Sequence, residues 1–327
     1  MKSQAQLIQE ILTAIQNART ICIVGHMRPD GDCIGSQLGL MLALRAIGKQ
    51  VVCWNQDAMP LKYRFLDPGH NFVKPKSGQE FDLVIAVDCA SLERLGTVAR
   101  RVTRRRQLIN IDHHESNTRY GDINWVSARE PSTGELIYHL MKAAGWPVTK
   151  PIADCLFTAV STDTGSFQYA STRPGTFHVG AELVTHGANL ARICHEVYQS
   201  FPLARVRLLK HVYNKFKLTH NDRIAYFWLK KADLARTGAG SSDTEGLIDH
   251  IRAIEPVVVA CVFEEIEPET IRISLRSKCR SVNVNDICRQ FGGGGHGAAA
   301  GAMIAGRPMT IQRRVIGAIR KAINSAN

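Results

Sequence analysis

One histidine and two aspartates fall within seven residues in the stretch GHMRPDGDCIGS, which covers residues 25–36. The short apolar run Thr20–Val24 just before it is typical of a buried strand. The pattern over residues 38–47 predicts a helix that begins near Gly35 and stops at Gly48. The acidic stretch is therefore expected on a turn at the carboxyl end of a strand, where open α/β sheets bind ligands.

Two aspartates on one tight turn repel each other unless a proton or a cation lies between them. A hard divalent metal is the simplest such cation, and the nearby His26 favours Mn(II), Fe(II) or Zn(II) over Ca(II). Asp-Gly turns and helix-capping aspartates are also common, so this stretch alone leaves an ordinary turn open.

The composition is that of a globular protein with room for two domains. The chain has 327 residues, of which 45% are hydrophobic and 21% are charged. No apolar run is long enough to span a membrane, and residues 1–10 do not resemble a signal peptide. Nine cysteines without a Cys-x-x-Cys pair indicate free thiols in a reducing compartment. We therefore expect a cytoplasmic protein with no membrane partner.

The net charge of +12 favours anionic partners, above all nucleotides or nucleic acids. The densest group of basic residues is predicted on a helix over residues 91–106, and a solvated helix face is the favoured interpretation. It consists of Arg100, Arg101, Arg104, Arg105 and Arg106.

Two further predicted strands also end in carboxylates or imidazoles. The apolar run Phe81–Val87 is followed by Asp88, and the strand at 107–111 leads into Asp112, His113 and His114. Because the carboxyl ends of parallel strands meet at one edge of a sheet, we expect these side chains to converge with the acidic stretch on one crevice.

A fourth acidic position, Asp163, closes a helix predicted over residues 152–162. Asp163 could be an aspartate of an ordinary turn or a further metal ligand. The neighbouring residues in the sequence do not decide between these two interpretations. Upstream, Ser132 and Glu135 have the spacing of a capping box that opens a helix reaching Ala144. Helices are expected from 175 to 217, without recognisable chemistry after 195.

The second half of the chain predicts a smaller mixed α/β domain. Strands are expected at 224–229, 257–264 and 271–275, a helix at 244–254 and a closing helix from Pro308. Four consecutive glycines precede His296, and their bare N–H groups could bind an anion next to a helix N-terminus. A flexible linker is the alternative, although its composition would be unusual.

A crevice with several carboxylates and histidines could hold two metal ions about 4 Å apart, bridged by one aspartate, that activate a hydroxide. A single structural metal would not require so many anionic ligands. The chain lacks the G-x-S-x-G, Walker A and G-x-G-x-x-G sequences. The residues therefore point to metal-dependent phosphoester hydrolysis.

The order of these motifs resembles the DHH phosphoesterase family. The matching positions are the His26, Asp30 and Asp32 stretch, Asp88, the Asp112-His113-His114 run, Ser161 to Gly165, and the glycine run at 292–301. The closest resemblance is to its NrnA-type group of nanoRNases and pAp (3'-phosphoadenosine 5'-phosphate) phosphatases. The resemblance implies a parallel-sheet DHH domain at 1–194, a helical linker at 195–218 and a smaller mixed α/β DHH-associated domain at 219–327.

The resemblance also implies roles for individual residues. One ion would be held by His26, Asp30 and Asp88, and the other by Asp32, Asp88, His113 and Asp163. Two divalent ions with a Mn²⁺-like preference are implied. Asp88 would bridge them, Asp112 would orient a ligand and His114 would face the scissile phosphate. The substrate-binding residues in the second domain would be Arg276, Ser277, Gly293, Gly294, Gly295 and His296.

The implied reaction is hydrolysis of short oligonucleotides to mononucleotides, and of pAp to AMP. The implied partners are short RNA or DNA oligonucleotides, pAp and dinucleotides, and we expect a homodimer. One alternative is a phosphodiesterase for linear or cyclic dinucleotides. Another is a nucleotide-binding regulator without turnover, which the four carboxylates of the predicted metal site argue against.

Overall fold

The protein, described here from a computed structural model over residues 3–326, divides into two compact units. The first ends at Ser200 and the second begins at Phe201. The α/β fold class is confirmed, with a parallel sheet in the first unit and a mixed sheet in the second. The bounds of the predicted linker at 195–218 stay a prediction.

The first unit is built on six parallel strands in the order β3-β2-β1-β4-β5-β6. The strands are β1 (Thr20–Val24), β2 (Gln50–Trp54), β3 (Phe72–Val73), β4 (Phe81–Val87), β5 (Arg105–Asp112) and β6 (Ile123–Val126). Strand β6 lies at one edge of the sheet. From β1 the strand order first runs to one edge of the sheet, through β2 and β3, and then from β4 to the other edge. Ligands of open α/β sheets bind at the carboxyl ends of the two strands where the order changes, here β1 and β4.

Helices cover both faces of this sheet, and the larger apolar core lies on the face of α2, α4 and α5. The helices are α1 (Gln4–Asn17), α2 (Gly31–Ala46), α3 (Thr97–Arg101), α4 (Thr133–Ala144), α5 (Lys150–Asp163), α6 (Pro174–Thr185) and α7 (Leu190–Cys194). Single 3₁₀ or π turns occupy Leu61–Leu66, Leu92–Leu95 and His195–Gln199.

Three glycines spaced four residues apart allow α2 to lie directly against α5. A Cβ on Gly31 would overlap the side chain of Thr162, and one on Gly35 would overlap the carbonyl oxygen of Cys155. Gly39 continues the stripe against Leu156. The close approach brings the end of α5, with Asp163, next to the start of α2.

Two predictions for the first unit were wrong in detail. Helix α2 begins at Gly31 rather than near Gly35, because the Asp30 side chain accepts the N–H of Cys33 and caps the helix there. The arginine group does not share one helix: Arg105 and Arg106 lie on β5, and α3 ends at Arg101. The Arg106 guanidinium lies 3.4 Å from Asp82, so a neighbouring carboxylate offsets part of this charge.

The second unit contains a six-stranded sheet in the order β11-β12-β10-β9-β8-β7. Its strands are β7 (Lys217–Thr219), β8 (Ile224–Leu229), β9 (Val259–Glu267), β10 (Thr270–Ser277), β11 (Gly294–His296) and β12 (Ala299–Ala305). Its helices are α8 (Leu203–Lys215), α9 (Lys231–Thr237), α10 (Leu247–Arg252), α11 (Val284–Arg289) and α12 (Pro308–Ser325), with a 3₁₀ turn at Ser241–Thr244. Strands β9 and β10 form an antiparallel hairpin.

The glycine run folds as a hairpin of β11 and β12 rather than as an open loop. Its glycines are required by backbone packing, because a Cβ on Gly293 would overlap the carbonyl oxygen of Gly301, and Gly295 has a φ of +149°. The nearby helix N-terminus is that of α11, where the N–H of Val284 donates to the carbonyl of Gly297.

Among residues 3–326, no helix combines the length and apolar character needed to cross a membrane.

Candidate active site

His26 follows β1 and lies between two carboxylates. Its Nε2 is 3.2 Å from Oδ2 of Asp88 and 3.7 Å from Oδ1 of Asp30. Its Nδ1 contacts the carbonyl of Met27 at 2.8 Å, and a carbonyl can only accept, so this nitrogen carries the proton. In the neutral ring, Nε2 therefore presents a lone pair toward the carboxylates.

His113 follows β5 and faces three aspartates from separate parts of the chain. Its Nε2 lies 3.2 Å from Asp163, 3.5 Å from Asp88 and 3.6 Å from Asp32. Asp88 is thus shared between the imidazoles of His26 and His113. The side chains that follow the strands lie close together, as the sequence led us to expect, and all of them come from the first unit.

Asp88 is placed by an unusual backbone conformation at the end of β4. Its φ is +52°, in the left-handed region that non-glycine residues seldom adopt. Its N–H still donates to the carbonyl of Ile111 on β5 at 3.1 Å. The turn points its carboxylate at both imidazoles, and such strain is typical of functional sites.

His114 is held by a carboxylate behind its ring. Its Nδ1 donates to Oδ1 of Asp112 at 2.8 Å, and Asn117 donates to the other oxygen of Asp112. The Oδ1 of Asn117 in turn accepts from Asn110 at 2.9 Å. A largely buried chain of amides therefore fixes Asp112, which fixes the orientation of His114.

The electrostatics of the cluster favour a bound cation. Asp32, Asp88 and Asp112 are all at most 1% exposed, although they lie close to one another. Burial raises the pKa of Asp32, and the charges of Asp88 and Asp163 raise it further. Burial likewise raises the pKa of Asp163, to about 6. Carboxylates and imidazoles are suitable ligands for Mn²⁺-like or Zn²⁺-like ions, so this donor set fits metal binding.

Two family models together match most of the chain. Residues 20–160 match the DHH family, N-terminal domain, and residues 221–326 match the DHHA1 domain. The bifunctional oligoribonuclease and PAP phosphatase NrnA of Thermus thermophilus is 32% identical, over 98% of this chain and 95% of that protein. The chain belongs to the DHH family.

Other known proteins agree with this assignment. The bifunctional oligoribonuclease and PAP phosphatase NrnA of Bacillus subtilis is 30% identical, over 90% of this DHH-family chain and 92% of its own length. An exopolyphosphatase-related protein from Bacteroides fragilis has a similar structure, with a TM-score of 0.86 at 27% identity. That match covers 98% of this chain and 97% of the other.

The second unit of the DHH-family chain carries the predicted substrate-binding residues on adjacent strands. Arg276 on β10 is paired with Ala299 on β12, which is paired with His296 on β11. Ser277 is only 4% exposed, and its hydroxyl donates to the carbonyl of Cys279. Arg276 and His296 therefore lie at one end of the sheet, next to the hairpin of Gly293, Gly294 and Gly295.

Several residues that hold the cluster in place were not predicted from the sequence. The N–H groups of Thr133 and Gly134, at the start of α4, donate to the two oxygens of Asp32 at 2.7 and 2.9 Å. The hydroxyl of Ser36 donates to Asp32, and Asn55 donates to the main chain of His26. The capping signal at Ser132 located the start of α4, but nothing in the sequence indicated that this helix end faces Asp32.

We expect the DHH-family cluster to bind metal more weakly as the pH falls. Burial and nearby Arg94 lower the pKa of the metal-free His26 ring. The carboxylates of Asp30 and Asp88 outweigh both effects and raise it to about 10. The carboxylates around His113 also raise its pKa, against the effect of burial. An incoming metal must therefore displace protons from both rings at neutral pH.

Affinity should accordingly rise by about tenfold per pH unit for each proton released. Mn²⁺ titration between about pH 6 and pH 9, in buffers of different ionisation enthalpy, measures both the affinity and the number of protons. An affinity that does not change over this range would contradict the protonated state of the two rings.

Proposed function

We propose that this DHH-family chain is a metal-dependent phosphoesterase. It hydrolyses short oligonucleotides, a few nucleotides long, to mononucleotides, and pAp to AMP. The observation that carries the proposal is the buried carboxylate of Asp88, which lies within 3.6 Å of the imidazoles of His26, His113 and His114. The relatives that match this chain over nearly its full length are named for two substrates, oligoribonucleotides and PAP. The proposal takes its substrates from these names.

The proposed metal site uses ligands from four segments of the first unit. His26, Asp30 and Asp88 hold one divalent ion, and Asp32, Asp88, His113 and Asp163 hold the other. Imidazole and carboxylate ligands suit Mn²⁺, Fe²⁺ or Zn²⁺, and the resemblance to the family supports Mn²⁺ as the proposed ion at both positions. When bound, the ions supply the charge that activates a water molecule and stabilises the phosphate in the transition state.

The protein's own groups orient this chemistry. The N–H groups of Thr133 and Gly134 hold both oxygens of Asp32, so its position is fixed before an ion arrives. Thr133 also donates its hydroxyl to Asp88 at 3.3 Å. His114, oriented by Asp112, uses Nε2 to stabilise the phosphate or to protonate the leaving oxygen.

The second unit supplies the proposed contacts to the remainder of the substrate. Arg276 and His296 provide polar groups for a phosphate or a base, and the bare main chain of Gly293, Gly294 and Gly295 lets the substrate approach closely. The N–H of Gly293 itself already donates to the carbonyl of Cys288. Ser277 contributes by fixing the turn after β10, since its hydroxyl is already bonded to Cys279. The preference for oligonucleotides of a few residues over long strands is part of this proposal.

Hydrolysis of linear or cyclic dinucleotides is the second candidate activity, because a dinucleotide has the same phosphodiester bond. A regulator without turnover would have no need of the buried carboxylates shared between imidazoles. The proposed location is the cytoplasm, where the nine free cysteines would remain reduced. A homodimer is the proposed assembly.

The deciding experiment follows hydrolysis of a labelled series from dinucleotides to long single strands, together with pAp, with Mn²⁺ and with chelator. We expect chelator-sensitive release of mononucleotides that falls as the substrate lengthens. Equal activity on long strands would indicate a processive exonuclease instead. Binding without metal-dependent turnover on any substrate would replace the enzyme with the regulator.

We also expect Asn117→Ala to lower kcat by about tenfold to a hundredfold with little change in KM. Its amide donates to Asp112 and to the carbonyl of Cys89, so its loss leaves Asp112 and the His114 ring less firmly oriented. Steady-state kinetics on a short oligonucleotide measure the effect. Metal content should stay unchanged, because Asn117 does not contact the proposed ligands of either ion.

The matched control is Asn71→Ala, which removes an amide bonded to Arg45 and Asp67. It should leave kcat unchanged. An equal loss of kcat in both variants would show a general effect on folding rather than an effect on His114.

A further inference from the structure

Glu130, Glu135 and His139 form a second group of potential metal ligands, separate from the cluster around Asp88. One ligand atom from each residue lies within 4.8 Å of the other two. Glu135 and His139 occupy successive turns of α4, and Glu130 lies in the loop just before this helix. The group therefore links the loop to the helix.

Glu135 is the unusual member, because its carboxylate is buried without a compensating charge. Its side chain is 3% exposed, and Oε1 lies 3.8 Å from Nε2 of His139. Its Oε2 has no hydrogen-bond partner among the residues that the structure describes. Over residues 3–326, no lysine or arginine lies within ion-pair distance of Glu130 or Glu135. A buried carboxylate in this state is costly unless a proton or a cation accompanies it.

The surroundings favour a cation over a shared proton. The N-terminus of α6, a 12-residue helix, lies beside the carboxylate: a Cβ on Gly175 would be 3.9 Å from Oε1 of Glu135. The positive end of a helix dipole stabilises the ionised carboxylate relative to the neutral acid. A cation between the two carboxylates and the imidazole would offset the repulsion of the carboxylates and the cost of burying Glu135.

We propose that Glu130, Glu135 and His139 bind one divalent transition-metal ion, distinct from the ions of the active site. Two carboxylates and one imidazole suit Zn²⁺ or Mn²⁺. Ligand atoms around such an ion lie about 3–3.5 Å apart, so the group has to contract only slightly. His139, whose side chain is 38% exposed, can make this movement and also leaves a path for the ion to enter.

The ion would act on the active site through the main chain of Glu130. The carbonyl of Glu130 lies 3.3 Å from Nδ1 of His113 and accepts a hydrogen bond from it. This contact directs Nε2 of His113 toward Asp163 and Asp88. Fixing Glu130 to α4 therefore fixes the carbonyl that orients His113, so the ion has a positioning role rather than a catalytic one.

The test is the number of ions bound by the full-length protein. Metal content is measured by mass spectrometry after equilibrium dialysis against Zn²⁺ or Mn²⁺, for wild type, His139→Ala, Glu135→Gln and the exposed control His178→Ala. We expect His139→Ala and Glu135→Gln to bind one equivalent fewer than wild type. His178→Ala should bind the same number as wild type.

A second experiment, in the Asp88→Asn variant, distinguishes this site from the active site. Asp88→Asn should weaken the active-site ions while one equivalent remains, and adding His139→Ala should remove that equivalent. A rise in Tm on adding Zn²⁺ to Asp88→Asn, absent when His139→Ala is added, provides a readout independent of activity. Metal content and Tm do not depend on turnover, so the result holds whether or not the proposed function is correct.

Unchanged metal content in both His139→Ala and Glu135→Gln would overturn the proposal and leave the two carboxyl groups sharing a proton. If Glu135→Gln fails to fold, His139→Ala still decides the question, because its partly exposed ring can be removed without opening the core.

Discussion

Replacing Asp88 by asparagine is expected to lower kcat on short oligonucleotides by about 10³-fold or more. Asp88 is 1% exposed and lies between His26 and His113, so one carboxylate serves both proposed ions. Asparagine keeps the shape of the side chain but removes the charge and one of the two acceptor oxygens. Initial rates at saturating Mn²⁺, together with metal content, measure the loss.

The matched control for this change is Asp222→Asn. Asp222 lies on an exposed turn of the second unit with a φ of +60°, a conformation that asparagine tolerates. It should keep the wild-type rate and metal content. A wild-type rate in Asp88→Asn would contradict the shared-ligand role, and circular dichroism of both variants checks that each is folded.

Replacing Gly35 by alanine is expected to reduce the free energy of unfolding by about 3 kcal/mol. The added Cβ would overlap the carbonyl oxygen of Cys155 and press on Ala159, so α2 and α5 have to separate. Main-chain atoms cannot rotate away as a flexible side chain does. Because these helices carry Asp32 and Asp163, metal affinity should fall together with stability.

Gly317→Ala makes the same chemical change on α12, where an added Cβ has no neighbour within 4 Å. It should leave the protein unchanged or stabilise it by about 0.5–1 kcal/mol, because alanine favours helix. Urea unfolding followed by circular dichroism measures both variants. Equal destabilisation by the two changes would show that close packing of α2 and α5 is not the cause.

The sequence was informative where local signals determine the structure. The apolar run Phe81–Val87 forms β4 with the expected bounds, and Ser132 caps α4 as expected. The continuously apolar run at 81–87 is typical of a central parallel strand, and the parallel sheet is confirmed. The assignment of individual ligands stays a prediction, although the structure brings His26, Asp88 and His113 close together.

Features that depend on long-range packing could not be read from the sequence. One local feature was also missed: α2 starts at Gly31 because Asp30 caps it, whereas the sequence pattern placed the start near Gly35. The overlap of Gly35 with Cys155 joins residues far apart in the chain, as does the contact between Thr133 and Asp32. The network behind His114 consists of Asn110 and Asn117, residues that are common on surfaces and carry no distinctive signal.

All six proposed metal ligands precede residue 164, and the unit that contains them has its own apolar core. Domains generally fold as units during synthesis, with the N-terminal one first. The metal cluster can therefore be completed while the ribosome is still adding the second unit. The supply of metal in the cell at that moment, rather than after release of the finished chain, would then influence which ion the nascent protein acquires.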